Sequence, residues 1–227
     1  YGRTLAGDFV FDNRAIVEHQ SLLSNLNKFD QVLMLPYWTE AAGAIDITSN
    51  QLQFKTTGFA KNIAIYSGQA TISANQYCRF TMTVGVSFME CEFRYTDSSS
   101  PYYYVGGDLA NNFIEWGRCP DIASSCSAIS TGSVSVDDDD VWGITLSGTG
   151  NDTVVRAWRN PTGNTPDSAT SWGGDATPDV EITTNPATPV DTGNYLGLGV
   201  YQDSEGSFDN FFGGDIPGLP EGSVKFR

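Results

Sequence analysis

The chain reads as an all-β protein, a two-sheet antiparallel sandwich, and three observations carry that reading. Apolar and polar residues alternate at period two along most of its length, the pattern of strands with one buried face. Roughly a dozen such runs are separated at short intervals by turn-forming residues, the spacing of a sandwich or barrel. The 24 glycines and 10 prolines supply turns, and no long apolar helical run competes with the strands.

In chain order, residues 1–37 form an N-terminal excursion attached to the sandwich. Within it Arg14–Leu35 carries Ile16, Leu22, Leu23, Leu26 and Phe29 at mixed spacing, which predicts one or two short helical turns before Pro36. The sandwich spans 38–215. Ile45/Ile47 and Leu52/Phe54 mark two strands across the turn pair Ser49-Asn50, and Ile63 and Ile65 mark a third. Tyr77–Val84 and Val86–Tyr95 read as a hairpin turning near Gly85. Strands follow at Tyr102–Val105, Phe113–Trp116, Trp142–Leu146, Val154–Trp158, Val180–Ile182, Leu196–Val200 and Phe208–Phe212. The stretches Asn160–Pro178 and Thr183–Gly193 are long loops at one end of the sandwich. Residues 216–227, with Pro217 and Pro220, are an extended tail. The excursion and tail are expected to contact other structural subunits. The chain begins at Tyr1 without an initiator Met, so a processed protein or a piece of a longer one is expected.

Charge narrows the function. With 27 acidic against 12 basic residues, a net charge of −15 repels phosphate backbones and anionic lipid, which argues against nucleic-acid binding. No stretch approaches the ~20 apolar residues that cross a bilayer, so no membrane insertion is expected. The acidic excess suits solubility outside the cell, and part of it suits calcium. Cys78, Cys91, Cys119 and Cys126 lack zinc-site spacing, and their even number points to disulfides in an oxidising exterior. Cys78 shares strand parity with Phe80 and Met82, and Cys91 with Met89 and Phe93. Both would then sit on the buried face of one hairpin and pair. Cys119 and Cys126 bracket the polar loop Pro120–Ser125 and would close it.

Several pieces, in order, resemble the concanavalin A-like jelly rolls, the superfamily of laminin-G domains, legume lectins and glucanases. Trp38, Ile45-Asp46-Ile47 and Asn50-Gln51-Leu52 resemble the opening of these domains. Gln76-Tyr77 entering the strand at Cys78 resembles their next conserved strand. Phe93–Asp97 followed by Tyr102–Val105 resembles a hairpin of theirs, and Trp142, Thr145, Gly148–Asn151 and Arg156-Ala157-Trp158 resemble another. Tyr195–Asp215, with Gly197-Leu198-Gly199 and Phe208-Asp209-Asn210-Phe211, resembles their last two strands. The resemblance implies a jelly roll that binds glycans, similar to domains of phage structural proteins and secreted microbial adhesins. It also implies a structural calcium, held by Asp209 with Asp8 or Asp12; a half-buried Asp209 otherwise needs a hydrogen bond from the first strand.

Departures from the superfamily's enzymes speak against catalysis. Its glucanases carry E-x-D-x-x-E on one strand, whereas here Glu90 and Glu92 share a face without a third carboxylate. They read as solvated residues, kept ionised by Arg94. Tyr195–Gln202 echoes a strand of alginate lyases without its lysine, and the single histidine, His19, lies in the excursion. For binding, aromatic rings stack on sugar faces. Trp172, between Ser171 and Gly173-Gly174-Asp175 in a polar loop, is one candidate, with folding back as a lid on the sandwich edge the alternative. Tyr102 and Tyr104 are two more, since alternation sends Tyr103 or its neighbours inward; Trp116 with Asn112 completes the set. Trp38, Trp142 and Trp158 read as core. Asp137–Asp140 reads as a solvated acidic turn, with calcium the alternative. The expected function is a non-catalytic, lectin-like module for glycan recognition, adhesion or decoration on a virion or extracellular assembly. Two alternatives are a structural coat or filament subunit and a glycan-cleaving enzyme using Glu90 and Glu92.

Overall fold

A computed structural model describes residues 2–3, 9–10, 38–48, 51–55, 61–66, 71, 73–82, 88–108, 111–201 and 206–217. Sixteen strands run through them: β1 (Gly2–Arg3), β2 (Phe9–Val10), β3 (Trp38–Ala42), β4 (Ala44–Thr48), β5 (Gln51–Lys55), β6 (Lys61–Tyr66), β7 (Gln76–Met82), β8 (Phe88–Tyr95), β9 (Tyr102–Asp108), β10 (Phe113–Cys119), β11 (Ser127–Ser133), β12 (Val141–Ser147), β13 (Val154–Arg159), β14 (Val180–Ile182), β15 (Tyr195–Tyr201) and β16 (Gly206–Asp215). Beyond the short β1–β2 pair they form two seven-stranded antiparallel sheets. One has the order β11-β10-β9-β8-β15-β6-β3 and the other β14-β13-β12-β7-β16-β5-β4. Among the described residues there is no α-helix, and no helix is long and apolar enough to cross a membrane. The expected all-β jelly-roll sandwich is what the chain adopts.

Period-two alternation builds the core. Met89, Cys91 and Phe93 of β8 and Leu196, Leu198 and Val200 of β15 point inward from the first sheet. They meet Cys78 and Phe80 of β7, Ile144 and Leu146 of β12 and Phe208 of β16 from the second. The Phe208 ring lies edge-on to Phe80 and Phe54, with centroids 5.2 and 5.6 Å away. Each such side chain contributes about 1.5–3 kcal/mol through burial. Trp38, Trp142 and Trp158 are buried as expected.

The expected hairpin of Tyr77–Val84 with Val86–Tyr95 does not form. β7 pairs with β12 and β16, whereas β8 pairs with β9 and β15 in the other sheet. Inward parity was the right signal, but in a sandwich two inward faces meet across the core rather than along a ladder. The Cys78–Cys91 disulfide therefore joins the sheets, and Cys119–Cys126 closes its short loop. Strand β11, Ser-Ala-Ile-Ser-Thr-Gly-Ser, carries no apolar alternation; it is an edge strand held by its ladder to β10. The turns expected in Arg14–Leu35, at Ser49-Asn50 and near Gly85, and the tail beyond Pro217, lie outside the described residues.

Arg94 departs most from the alternation. At a bulge opposite β15, between the pairs Tyr195–Tyr95 and Gly197–Glu92, its backbone takes φ 54°. The guanidinium leaves the face of Glu90 and Glu92 and ends buried among carbonyls. Its Nε and Nη2 donate to Ala74 O at 3.0 and 2.8 Å, Nη1 to Val190 O at 2.6 Å, and Nη2 also to Gly148 O at 2.5 Å. Desolvation pushes its pKa down to about 10. Three chain segments far apart in sequence are thereby tied to one side chain. Gly193 lies against the Arg94 carbonyl at φ +130°, a conformation and a clearance that only glycine meets.

Candidate functional site

At one end of the sandwich the first sheet's edge and a loop of the second enclose a groove. The inward set of β10 is Ile114 and Trp116, so the same parity sends Arg118 inward, opposite Tyr103 of β9. Arg118 stands where the core gives out. Beyond it the Cys119–Cys126 bridge folds Pro120 and Ser125 back toward Ser127, the first residue of β11. The facing wall is Thr184–Thr188, in the loop after β14. That loop is pinned by Val190 N donating to Tyr103 Oη at 2.8 Å and by Asn185 Nδ2 donating to Asn151 O and Thr183 O at 2.5 and 2.9 Å.

The groove between these walls has a volume of ≈ 410 Å³, and Arg118, Pro120, Ser125, Ser127, Asn185 and Thr188 are among its lining residues. That size falls within the range of about 300–1,000 Å³ common for small-ligand sites. Two buried polar atoms of the lining, Arg118 Nε and Asn185 Oδ1, have no hydrogen-bond partner among the described residues. One is a donor and the other an acceptor. Among the described residues no carboxylate lines the groove. The acids of the flanking loops have partners elsewhere: Asp121 accepts from Ser124 and Ala123 in its own loop, and Asp191 accepts from Gly150 N and pairs with Arg94. Hydrogen bonds from Ser124, its hydroxyl foremost, hold the Asp121 carboxyl below the usual range.

The aromatic residues expected to stack on sugar are all buried. Trp172 is 0% exposed and packs on the outer side of the second sheet, with ring centroids 5.9 Å from Tyr77 and from Trp158. Its loop folds back onto that sheet, the arrangement named as the alternative for Trp172. Trp116 lies in the inter-sheet core, edge-on to Tyr103 at 5.5 Å. Tyr103 takes the inward place, yet Tyr102 and Tyr104 are buried too, in a second apolar cluster with Ile63, Ile65 and Tyr95 on the opposite face of the sheet. Tyr104 Oη donates to Glu115 Oε1 at 2.5 Å, and burial pushes both phenols well above the usual range. Asn112 is exposed, but it serves a turn: its φ is 55° and its Oδ1 accepts from Val136 N at 3.2 Å. These residues do not converge on one surface.

The acidic residues also differ from expectation. Glu90 and Glu92 are 1% and 0% exposed, not solvated, because the face of β8 turned from the core is itself covered. They reach over β15, where a Cβ at Gly199 would stand 2.8 Å from Glu92 Oε1 and 3.0 Å from Glu90 Oε1. The two oxygens thus lie within about 6 Å of each other. Arg94 contacts neither. In the Asp137–Asp140 turn, Arg159 takes two of the four: Nε donates to Asp140 Oδ2 at 2.7 Å and Nη2 to Asp137 Oδ2 at 2.5 Å. Asp209 is half-buried, and its Oδ1 accepts from Asn210 N at 2.7 Å rather than from the first strand. Asp8 and Asp12 lie outside the described residues. Among the described residues no three His, Cys, Asp or Glu side chains converge as a cation site.

Arg118 and Asn185 carry no motif, and the available signal was parity: an arginine two residues beyond Trp116 on an inward face, at the last turn of a strand before a disulfide.

No protein-family model matches the chain, and no curated protein sequence matches it. Solved structures do. The chain is similar to the carbohydrate-binding module CBM66 from Bacillus subtilis, with TM-score 0.55 and 13% identity over 78% of this chain and 94% of that one. It is also similar to the carbohydrate recognition domain of Emp46p in its potassium-bound form, with TM-score 0.51 and 10% identity over 82% of this chain and 92% of that one. The metal-free form of the latter gives TM-score 0.50 and 12% identity over 85% and 94%. At these identities the likeness is one of fold, and it makes the class plain: a concanavalin A-like jelly roll.

Proposed function

We propose that the chain is a non-catalytic glycan-binding module displayed outside the cell, on an extracellular assembly or a virion, and that the groove beside Arg118 receives the ligand. The observation that carries this reading is the pair of unmet polar atoms in the groove, Arg118 Nε and Asn185 Oδ1. Buried polar groups without partners are costly, and a ligand with both acceptors and hydroxyls would satisfy them. The hydroxyls of Ser125, Ser127 and Thr188 add further partners, and the prolines and the Cys119–Cys126 bridge keep the walls in place. The fold shared with a carbohydrate-binding module and a carbohydrate recognition domain supports the same reading, though a fold alone does not assign a ligand. The disulfides suit an oxidising compartment.

Binding of the purified chain to an immobilised glycan panel tests it. Ala128→Trp, which fills the groove without removing a hydrogen bond, is expected to abolish retention at unchanged melting temperature. Retention that survives this substitution would move the site elsewhere. A structural calcium at Asp209 with Asp8 or Asp12, and subunit contacts through 1–37 and 216–227, belong to the same proposal; metal analysis after exhaustive dialysis and sizing of truncated chains test them.

One observation favours a second reading, glycan cleavage. Glu90 and Glu92 both reach over Gly199 of β15, with carboxylate oxygens no more than about 6 Å apart, and a retaining glycosidase needs such a close pair. Their closure from solvent weighs against it. Product release from polysaccharides that disappears in Glu90→Gln would establish it.

A further inference from the structure

We infer that the ligand of this groove carries an anionic group, a uronate carboxylate or a sulfate ester, seated against Arg118; this rests on the glycan reading above. Among the described residues Arg118 is the only charged one of the lining. Four other arginines whose side chains are described make contacts of their own. Arg94 is bonded to carbonyls, Arg156 pairs with Glu181 and Arg159 pairs with Asp137 and Asp140. Arg79, whose buried Nε also has no hydrogen-bond partner, lies outside the groove against the Phe212 ring. Arg118 has no hydrogen bond or ion pair among the described residues, in a chain with 27 acidic and 12 basic residues.

In so acidic a protein an unpaired guanidinium is a site kept clear. The carboxylates of the flanking loops, Asp121 and Asp191, are held by Ser124 and by Gly150 with Arg94, and neither forms an ion pair with Arg118. Register fixes the arginine further: parity with Trp116 turns it inward, and its Nε is buried, so its approach to a ligand is set by the strand and not by a flexible stem. A guanidinium presents a planar fork that matches two oxygens of a carboxylate or sulfate, which a neutral hydroxyl does not. The opposite wall offers Asn185 Oδ1, an acceptor that would take a ring hydroxyl of the same sugar. The net charge of −15 disfavours long polyanions, so an isolated acidic residue in an otherwise neutral glycan is the expected ligand.

The test is calorimetric titration of the intact chain with short uronate-containing oligosaccharides, their carboxyl-reduced counterparts and short galacto-oligosaccharides carrying a single sulfate, chosen after the panel above. Acidic probes are expected to bind and reduced ones to bind at least about tenfold more weakly. Arg118→Gln should weaken acidic binding about ten- to a hundredfold. Arg118→Lys, which keeps charge without the fork, should fall between. Both variants should melt like the parent chain, because the side chain bonds nothing in the fold. Tighter binding of the carboxylate or of the sulfate arm identifies the source of the anion. Equal binding of acidic and reduced probes that is abolished by Ala128→Trp overturns the anionic assignment while leaving glycan recognition in place. Absence of binding to every glycan overturns both.

Discussion

Replacing Arg94 by alanine should be among the most destabilising single changes in the chain, and the cost can be worked from its bonds. The guanidinium is the donor to three backbone carbonyls, Ala74, Gly148 and Val190. Its loss orphans all three. The bonds to Ala74 and Gly148 are partly buried, so water can replace them at about 1 kcal/mol each, while the buried bond to Val190 is worth about 2 kcal/mol. The pair with Asp191 at 3.6 Å adds little, since Asp191 is 46% exposed. The sum is about 4 kcal/mol, a large share of the ~5–15 kcal/mol that holds a domain together. With a urea slope of about 2 kcal/mol/M, the midpoint of Arg94→Ala should fall by about 2 M. Arg94→Lys should recover about half, because one ammonium cannot span carbonyls set around a planar fork. A midpoint shift below about 0.5 M for Arg94→Ala would refute the reasoning and mean that loops and strands hold without this centre.

Three further outcomes are expected. Trp172→Ala should lower stability by about 3–5 kcal/mol, because it empties a cluster shared with Tyr77, Trp158 and Ile216; a melting temperature within 2 °C of the parent (an effect under roughly 1 kcal/mol) would contradict that burial. Cys78→Ala/Cys91→Ala should cost about 3 kcal/mol by the loop-closure estimate for a 13-residue separation, with ligand binding intact, as read by denaturation and titration in parallel. Burial raises the phenol pKa of Tyr77, Tyr95, Tyr102, Tyr103 and Tyr104. The folded state then keeps protons that the unfolded state gives up, so their stability is full below about pH 10 and is lost as pH rises, by up to about 1.4 kcal/mol per pH unit for each phenol. The tyrosinate absorbance of these five, out of ten tyrosines, should therefore appear only together with loss of the β circular dichroism; ionisation of all ten near pH 10 without unfolding would count against it.

Strand positions were legible because alternation is a local signal: Tyr102–Val105, Val154–Trp158 and Val180–Ile182 all lie within strands. Partnership was not, since parity says which way Cys78 and Cys91 point but not which sheet each strand joins. The burial of the candidate aromatics was not legible for a related reason. A tryptophan among glycines and polar residues is equally compatible with display and with a loop folded onto a sheet, and only the contact of Trp172 with Tyr77 and Trp158 decides. Likewise alternation assigns Glu90 and Tyr102 to the face turned from the core without saying whether that face is covered. Serine-rich β11 is invisible to hydropathy because its ladder to β10, not burial, makes it a strand.

The order of strands has a consequence for how the chain reaches this state. Strands β15 and β16, late in sequence, sit inside the sheets, β15 between β8 and β6 and β16 between β7 and β5. Until residues 195–215 leave the ribosome or the export channel, each sheet is two separate halves with unpaired inner edges. Neither half-sheet can zip to the other, so completion of either sheet waits for β15 and β16, in the slow regime of non-local β pairing. During that interval two long slots stand open to any extended segment, including the same strand of a second copy, which makes strand exchange the characteristic misfolding hazard of this topology. Oxidation of Cys78 with Cys91, both early in the chain, can close before the slots are filled and would hold the two layers in facing register while they wait.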